Sequence, residues 1–352
     1  MKKRVRKKQK GLILLNIGRD IVEYLVKWAG YSPKHNTWEP ENSFYSNKMV
    51  NAFNIKETIR LAKASLAEVP GVVTPEGSTD IRDIVACDTA SKIHVENNID
   101  GDFTLNGFVY APLPVYGKGV PIPEMAEGCM CEDCSTSENC LCKSFNRDDR
   151  VSYNSDGTLA DDITDAKWLQ RSVVECNANC SCGPNCCNRV IQKGRKCHLK
   201  IKKCLGKGWG VFAAQDIPKG TFVTIYSGEI ITSLEATRRS EFYTDTQKCY
   251  FFDLDFNQNV KMDCEFTVDS SWIGNISHFF NHSCNPNLKV VSCHIENRDP
   301  RMHMNAFFTL RFVPKGEEIC FDYLGGQTFL ANGSDQKLCI CGSENCRTFI
   351  FA

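Results

Sequence analysis

The chain has 352 residues, with 42 basic and 42 acidic side chains, 42% hydrophobic residues and 21 cysteines. That length suits about two or three domains; the apolar fraction supports real cores, and no apolar run reaches the ~18 residues of a membrane span. Neutrality conceals an asymmetry: residues 1–10 hold seven Lys/Arg and no acid, leaving the rest with a net charge of −7. The start, MKKRVRKKQKGLILL, mimics a signal peptide, but its apolar core is too short and no small-residue cleavage site follows. The basic run reads as a nuclear-import or nucleic-acid segment, or equally as a solvated tail. The acidic remainder suits a basic partner.

Residues 12–40 alternate as strands around a Gly30 turn, through Ile21–Trp28 and then Asn36–Pro40. Residues 45–67 show a helical period in Met49, Val50, Phe53, Ile59, Ala62 and Leu66. Pro70, Gly71, Pro75 and Gly77 mark residues 68–86 as a linker, and 87–126 read as an extended, Pro-rich lead-in. Two cysteine groups follow: Cys129, Cys131, Cys134, Cys140 and Cys142, then Cys176, Cys180, Cys182 and Cys186. Such close spacing suits zinc thiolates and a reducing compartment rather than long-range disulfides. Three tetrahedral zinc ions need twelve contacts, which nine thiolates supply if three of them bridge. Residues 143–175 between the groups, with Asp148, Asp149, Asp161 and Asp162, read as a polar surface loop.

After Arg189 come short strands: around Gly206–Gly210, over Thr221–Tyr226, Tyr250–Phe256, Leu288–Ile295 and Asn305–Phe312. One helix spans Thr232–Tyr243, opened by a capping box of Thr232 and Glu235. The strand–GxGxxG–helix unit of dinucleotide folds is missing. A last group, Cys339, Cys341 and Cys346, is one zinc ligand short and must borrow a fourth.

Two stretches carry a resemblance. EYLVKWAGYSPKHNTWEP is similar to a chromodomain. GKGWGV (206–211), YSGE (226–229), NISHFFNHSCNPN (275–287) and EEICFDY (317–323), in that order, resemble the SET domain of protein lysine methyltransferases. The two larger cysteine groups resemble a pre-SET zinc cluster, and CICGSENC (339–346) resembles a post-SET. Together they resemble the suppressor-of-variegation 3-9 class of histone H3 lysine 9 methyltransferases. The resemblance implies an α+β, β-rich architecture: a SET fold of short strands with pre-SET and post-SET zinc sites and a small N-terminal chromodomain-like module. The expected divisions are a basic tail (1–11), that module (12–67), linker and lead-in (68–126), pre-SET (127–194), SET (197–324) and post-SET (335–351).

The implied activity is transfer of methyl groups from S-adenosylmethionine to lysine 9 of histone H3, up to di- or trimethyl-lysine, linked to heterochromatin and gene silencing. The implied partners are the histone H3 tail and chromatin in the nucleus, on the chromosome, with a nucleic-acid contact through the basic N-terminus and no membrane. Methyl transfer to an amine needs alignment, a neutral nucleophile and exclusion of water; a desolvated channel lowers a lysine's pKa. Tyrosine rings can line such a channel while their hydroxyls orient the amine, which assigns Tyr323 and, beside it, Tyr226, each otherwise a core tyrosine. Phe321 lies two residues from Tyr323 on extended chain, so both face one side, and by resemblance it borders the acceptor pocket. Lys207, Gly208, Trp209, Tyr250, Asn281 and His282 are the implied cofactor contacts.

Cys284 of NHSC is the natural fourth ligand for the last cysteine group, giving four structural zinc ions in all. Cys87, Cys187, Cys197, Cys204, Cys249, Cys264, Cys293 and Cys320 read as ordinary thiols. In the chromodomain-like module Trp28 and Tyr31 match two walls of a methyl-lysine cage. The place of the third, on the first strand, has no aromatic, and Trp38 belongs to the core signature and reads as structural. The rival reading is a catalytically inactive zinc-containing chromatin scaffold, against which the intact NHSC, FDY and terminal cysteines argue. A zinc nucleic-acid binder is disfavoured by the acidic body.

Overall fold

The computed structural model describes residues 9–17, 22–44, 48–67, 79–160, 172–246, 250–255, 264–325 and 336–351. The basic run through Lys8, the Pro70–Gly77 linker, Asp161, Asp162, Cys249 and Phe256 lie outside them. The chain divides into two compact units, 1–61 and 62–352. Among the described residues, no helix is long and apolar enough to cross a membrane.

In the first unit β1 (Gln9–Ile17), β2 (Val22–Trp28) and β3 (Thr37–Pro40) form an antiparallel sheet, and α1 (Lys48–Ala67) follows. Alternation along β2 sends Tyr24 and Val26 into a core with Phe44 and Val50. β3 pairs Leu25 with Trp38, which places Trp38 on the opposite face, and it is 43% exposed. Strand parity, not side-chain size, decides its side.

The second unit opens with α2 (Ile81–Val85), β4 (His94–Glu96), β5 (Val109–Tyr110) and β6 (Val115–Tyr116). Asp80 caps α2 by accepting from the Arg82 amide at 2.8 Å. Then come β7 (Val173–Val174), β8 (Leu199–Cys204), β9 (Gly208–Ala213), β10 (Phe222–Ile225), β11 (Glu229–Thr232) and α3 (Ser233–Thr246). The remaining strands are β12 (Phe251–Asp253), β13 (Phe266–Asp269), β14 (Ile273–Gly274), β15 (Asn281–His282), β16 (Leu288–His294), β17 (Met304–Thr309), β18 (Glu318–Phe321), β19 (Gln336–Leu338) and β20 (Phe349–Phe351). They assemble as small sheets of order β15-β18-β9-β8-β4, β10-β17-β16-β7, β12-β13-β11-β6, β14-β5 and β19-β20.

Residues 79–126 are no linker. β4, β5 and β6 add in parallel to β8, β14 and β11, and Ile81, Ile84, Val85, Phe108 and Tyr110 enter the main core. Their apolar residues are spread between prolines and glycines, so no single window shows a period. The segment between the two cysteine groups is likewise more than a surface loop. Tyr153, Leu159 and Val173 fill a second core with Phe222, Phe308 and Val291. The capping box on α3 is half made: Thr232 Oγ1 accepts from the Glu235 amide at 3.3 Å, while the Glu235 carboxylate turns to Arg239 at 2.9 Å.

Glu175 ties that segment to the chain that follows the second cysteine group. It is fully buried and accepts from the Tyr153 hydroxyl (2.7 Å), the amides of Val190 (2.8 Å) and Ile191 (2.7 Å), and the Gln192 side chain (2.9 Å). Glu175→Ala would strand these donors without water. It is expected to destabilise the chain by about 3 kcal/mol, read as a lowered Tm of the zinc-loaded protein, with Glu175→Gln intermediate.

Candidate active site and zinc centres

β15 lies parallel to β18 with Asn281 beside Cys320 and His282 beside Phe321. This pairing brings 281–284 against 320–323, two segments far apart in sequence. Tyr323 follows β18. Although 45% of the residue is exposed, its hydroxyl turns inward and donates to the Phe280 carbonyl at 2.6 Å. Tyr226, at the end of β10, is buried and donates to the Tyr250 carbonyl at 2.8 Å. Dehydration holds both phenols well above the ordinary tyrosine range. They stay protonated at physiological pH, so they serve as donors and ring walls, not as bases.

Phe321 is buried among aromatic rings: Tyr323 at 4.7 Å, Phe307 at 5.0 Å and Phe252 at 6.2 Å, stacked at 12°. Tyr226 meets Phe252 at 5.1 Å and Phe307 at 6.3 Å. Phe252 and Phe307 close the cluster, and sequence reasoning missed them because they sit on strands with no motif. Tyr250 rests on His278 at 4.2 Å, itself against Phe108 at 4.5 Å.

Three of the expected cofactor residues, Lys207, Trp209 and Asn281, gather around another missed side chain, Glu318. It receives the Lys207 ammonium at 3.1 Å and the Asn281 amide at 2.7 Å; Asn281 also reaches the Trp209 carbonyl at 3.3 Å. A Cβ at Gly210 would stand 2.8 Å from Glu318 Oε1 and 3.0 Å from Asn281 Nδ2, so only glycine admits this pair. The signal in the sequence was the second acid of EEICFDY, two residues before Cys320. His282 points elsewhere: Nδ1 accepts from the Tyr323 amide at 3.2 Å, and Nε2 lies 3.3 Å from Cys284 Sγ.

The thiols gather in metal-sized groups, each with its sulfurs within 4.8 Å of one another. One is Cys129, Cys131, Cys134 and Cys140; another is Cys134, Cys176, Cys182 and Cys186. A third holds Cys129, Cys176 and Cys180 with Cys182, and Cys142 Sγ is 3.5 Å from Cys180. Cys129, Cys134 and Cys176 form a triangle with sides of 3.6, 3.6 and 3.9 Å, the arrangement that bridging ligands of a three-metal cluster require. Cys187 joins none of the groups. A Cβ at Gly128 would stand 2.2 Å from the Asn179 backbone; this glycine lets the two cysteine segments close on each other.

Nine thiolates around three divalent ions carry a net charge of −3. Arg298 donates to Cys142 Sγ at 3.4 Å and Arg189 approaches Cys182 Sγ at 3.7 Å, offsetting part of it. The fourth group is Cys284, Cys339, Cys341 and Cys346. Its tail turns through Thr348, a β-branched residue at φ 73° whose carbonyl accepts from the Cys339 amide at 2.8 Å. That conformation is strained for threonine.

In the first unit Trp28 donates to Thr37 Oγ1 at 3.0 Å and Tyr31 is exposed. β1 opens opposite Trp28 with Gln9 and carries no aromatic residue.

The chain matches the SET domain over residues 208–324, the Pre-SET motif over 86–189 and the Chromo (chromatin organisation modifier) domain over 1–56. Histone-lysine N-methyltransferase SUV39H1 of Xenopus laevis is 33% identical over 375 residues, covering 93% of this chain and 85% of that protein. The chain belongs to the SUV39/Su(var)3-9 family of histone-lysine N-methyltransferases. Histone-lysine N-methyltransferase Su(var)3-9 of Drosophila melanogaster is 39% identical over 276 residues, 74% of this chain but 41% of that longer protein. Among solved structures, the Neurospora SET domain protein DIM-5, a histone lysine methyltransferase, is 30% identical with a TM-score of 0.60, covering 71% of this chain and 99% of that one. KRYPTONITE in complex with mCHH DNA, H3(1-15) peptide and SAH is 27% identical with a TM-score of 0.64, covering 81% and 57%. The SUV39-type pre-SET and post-SET groups of this chain fit zinc by donor type and spacing.

Elemental analysis is expected to return four zinc ions per chain; two or fewer would refute the grouping. Thr348→Gly relieves the left-handed strain, about 1–2 kcal/mol. It should slow release of one zinc ion to a chelator without changing the other three.

Proposed function

We propose that this chain methylates lysine 9 of histone H3 with S-adenosylmethionine as methyl donor, in a nuclear, chromatin-bound role. The observation that carries this reading is the meeting of two neutral tyrosines, Tyr226 and Tyr323, around the Phe252–Phe321 ring pair, with Phe321 on the same strand as Glu318 of the Lys207–Glu318–Asn281 group. When bound, S-adenosylmethionine supplies an electrophilic methyl on a sulfonium. Lys207, Gly208, Trp209, Tyr250, Asn281 and His282 are the residues proposed to hold it, with Glu318 fixing two of their side chains.

The protein's own part is desolvation and aim. The ring walls of Phe252, Phe307, Phe321 and Tyr226 withdraw a lysine side chain from water and lower its pKa. The neutral amine keeps its lone pair for the methyl carbon, while the Tyr323 hydroxyl is near enough to orient it. Both phenols are held protonated, so the proton released by the amine leaves to water, not to a tyrosinate. Zinc on the nine-cysteine cluster and on Cys284, Cys339, Cys341 and Cys346 is structural, cross-linking segments poor in apolar residues. Peptide substrates would enter as an added strand, with backbone pairing for affinity and pockets for specificity.

Incubation with histone H3 peptides and S-adenosylmethionine, read by mass spectrometry, tests the reading. Substitution of the peptide's lysine 9 should abolish the product, and methylation unaffected by it would overturn the assignment. Tyr323→Phe removes one hydroxyl and little volume. Turnover should fall by about 10²-fold or more with cofactor binding nearly unchanged, and wild-type turnover would return Tyr323 to the core.

Phe321→Tyr adds a hydroxyl beside the amine. It should shift product toward mono- or dimethyl-lysine while the first methylation keeps its rate. An unchanged trimethyl fraction in an active variant would exclude Phe321 from the pocket.

A further inference from the structure

Asp322 stands between Phe321 and Tyr323. Those two rings lie together at 4.7 Å, so the intervening side chain faces the other way. There its carboxylate pairs with the Arg347 guanidinium, the two side chains 15% and 20% exposed. The same Oδ1 lies 3.7 Å from His282 Nδ1 and accepts from the Leu324 amide at 3.0 Å. Arg347 follows Cys346 directly, and its own amide donates to Cys284 Sγ at 3.3 Å. The preceding Asn345 side chain donates to the Cys284 carbonyl at 3.1 Å. The residue that reaches Asp322 is thus anchored at its backbone to the tail's metal group.

We propose that Arg347 is a positioning residue for methyl transfer. The tail delivers its guanidinium to Asp322, and the pair fixes the stretch of chain that presents Phe321 and Tyr323. This rests on the methyltransferase reading above. The ion pair with the tail gives this carboxylate a preferred place, and two rings on adjacent residues inherit it. Without Arg347, Asp322 is a half-buried charge that regains water by rotating the 321–324 backbone. The His282–Tyr323 bond runs along the same backbone and would lengthen with it. The tail that carries Cys339, Cys341 and Cys346 therefore acts on chemistry through a named ion pair. The pair is a part of the catalytic unit that no motif in the sequence announces, since Arg347 lies beyond FDY by more than twenty residues.

The test uses the full chain, zinc-loaded, as wild type, Arg347→Met, Arg347→Lys, Asp322→Asn and the double variant D322N/R347M. Zinc per chain, S-adenosylmethionine affinity by calorimetry, and kcat and KM on an H3 peptide are measured. Arg347→Met should keep four zinc ions and hold cofactor affinity within about 3-fold, while kcat falls about 10–100-fold at near-constant peptide KM. Arg347→Lys, which keeps the charge, should recover part of kcat. The double variant should be no slower than the slower single, because both changes remove one interaction. Unchanged kcat, additive losses, an effect confined to peptide KM, or zinc lost in step with activity would each overturn the proposal. A wild-type protein that methylates no peptide would instead remove the functional reading beneath it.

Discussion

The parallel contact of Asn281–His282 with Cys320–Phe321 is the constraint on which the rest of the site depends. Two residues of strand cannot hold themselves in register. The contact survives because the Asn287 side chain stitches both segments. Its oxygen accepts from the Cys320 amide at 2.9 Å and its nitrogen donates to the Glu318 carbonyl at 2.7 Å. The Ser283 amide adds a bond to the Phe321 carbonyl at 3.0 Å. From this one crossing follow the place of the Tyr323 hydroxyl, the setting of the Asn281 amide and the position of Cys284 for the tail. Each needs the crossing, and none could create it alone.

Chemistry-bearing residues were legible in the sequence because their types are rare and their spacing is short. Cysteines two to six apart announce metal, and NHSC with FDY announces a site. What surrounds them was not legible. Phe252 and Phe307 are ordinary strand residues, and only the fold shows that they face Phe321. Glu318 reads as one acid of a charged pair until Lys207 and Asn281 are seen on it. The Val109–Tyr116 stretch gave no period because each of its strands is two residues long. The side that Trp38 takes was not legible from its type either: register puts it with Leu25, away from Tyr24 and Val26.

The nine-cysteine part of the pre-SET region packs on sulfur in place of aliphatic side chains. Its buried cluster consists of Cys129, Cys131, Cys134, Cys140, Cys142, Cys176 and Cys182, with no aliphatic residue among them. Packing of this kind is bought with charge, and two arginines answer it. Arg189 comes from the segment that follows the cluster, while Arg298 arrives from the loop after β16, 156 residues beyond Cys142. The cluster is therefore balanced partly by the unit it supports, and Arg298 also covers the Phe145 ring at 4.4 Å.

The parallel additions of β4, β5 and β6 have a consequence for how the chain acquires its structure. Each adds to the edge of a strand made later in the chain: Val95 beside Ile201, Val115 beside Glu229 and Val109 beside Ile273. Contacts closed over loops of this length cost entropy before they return any energy. During synthesis residues 79–126 leave the ribosome before the strands they pair with, which follow 106 to 164 residues later. Folding of the catalytic unit is then expected to end, not begin, with its N-terminal segment. The slowest step belongs to the seating of a short-stranded strap whose apolar residues stay exposed until the last sheet is complete.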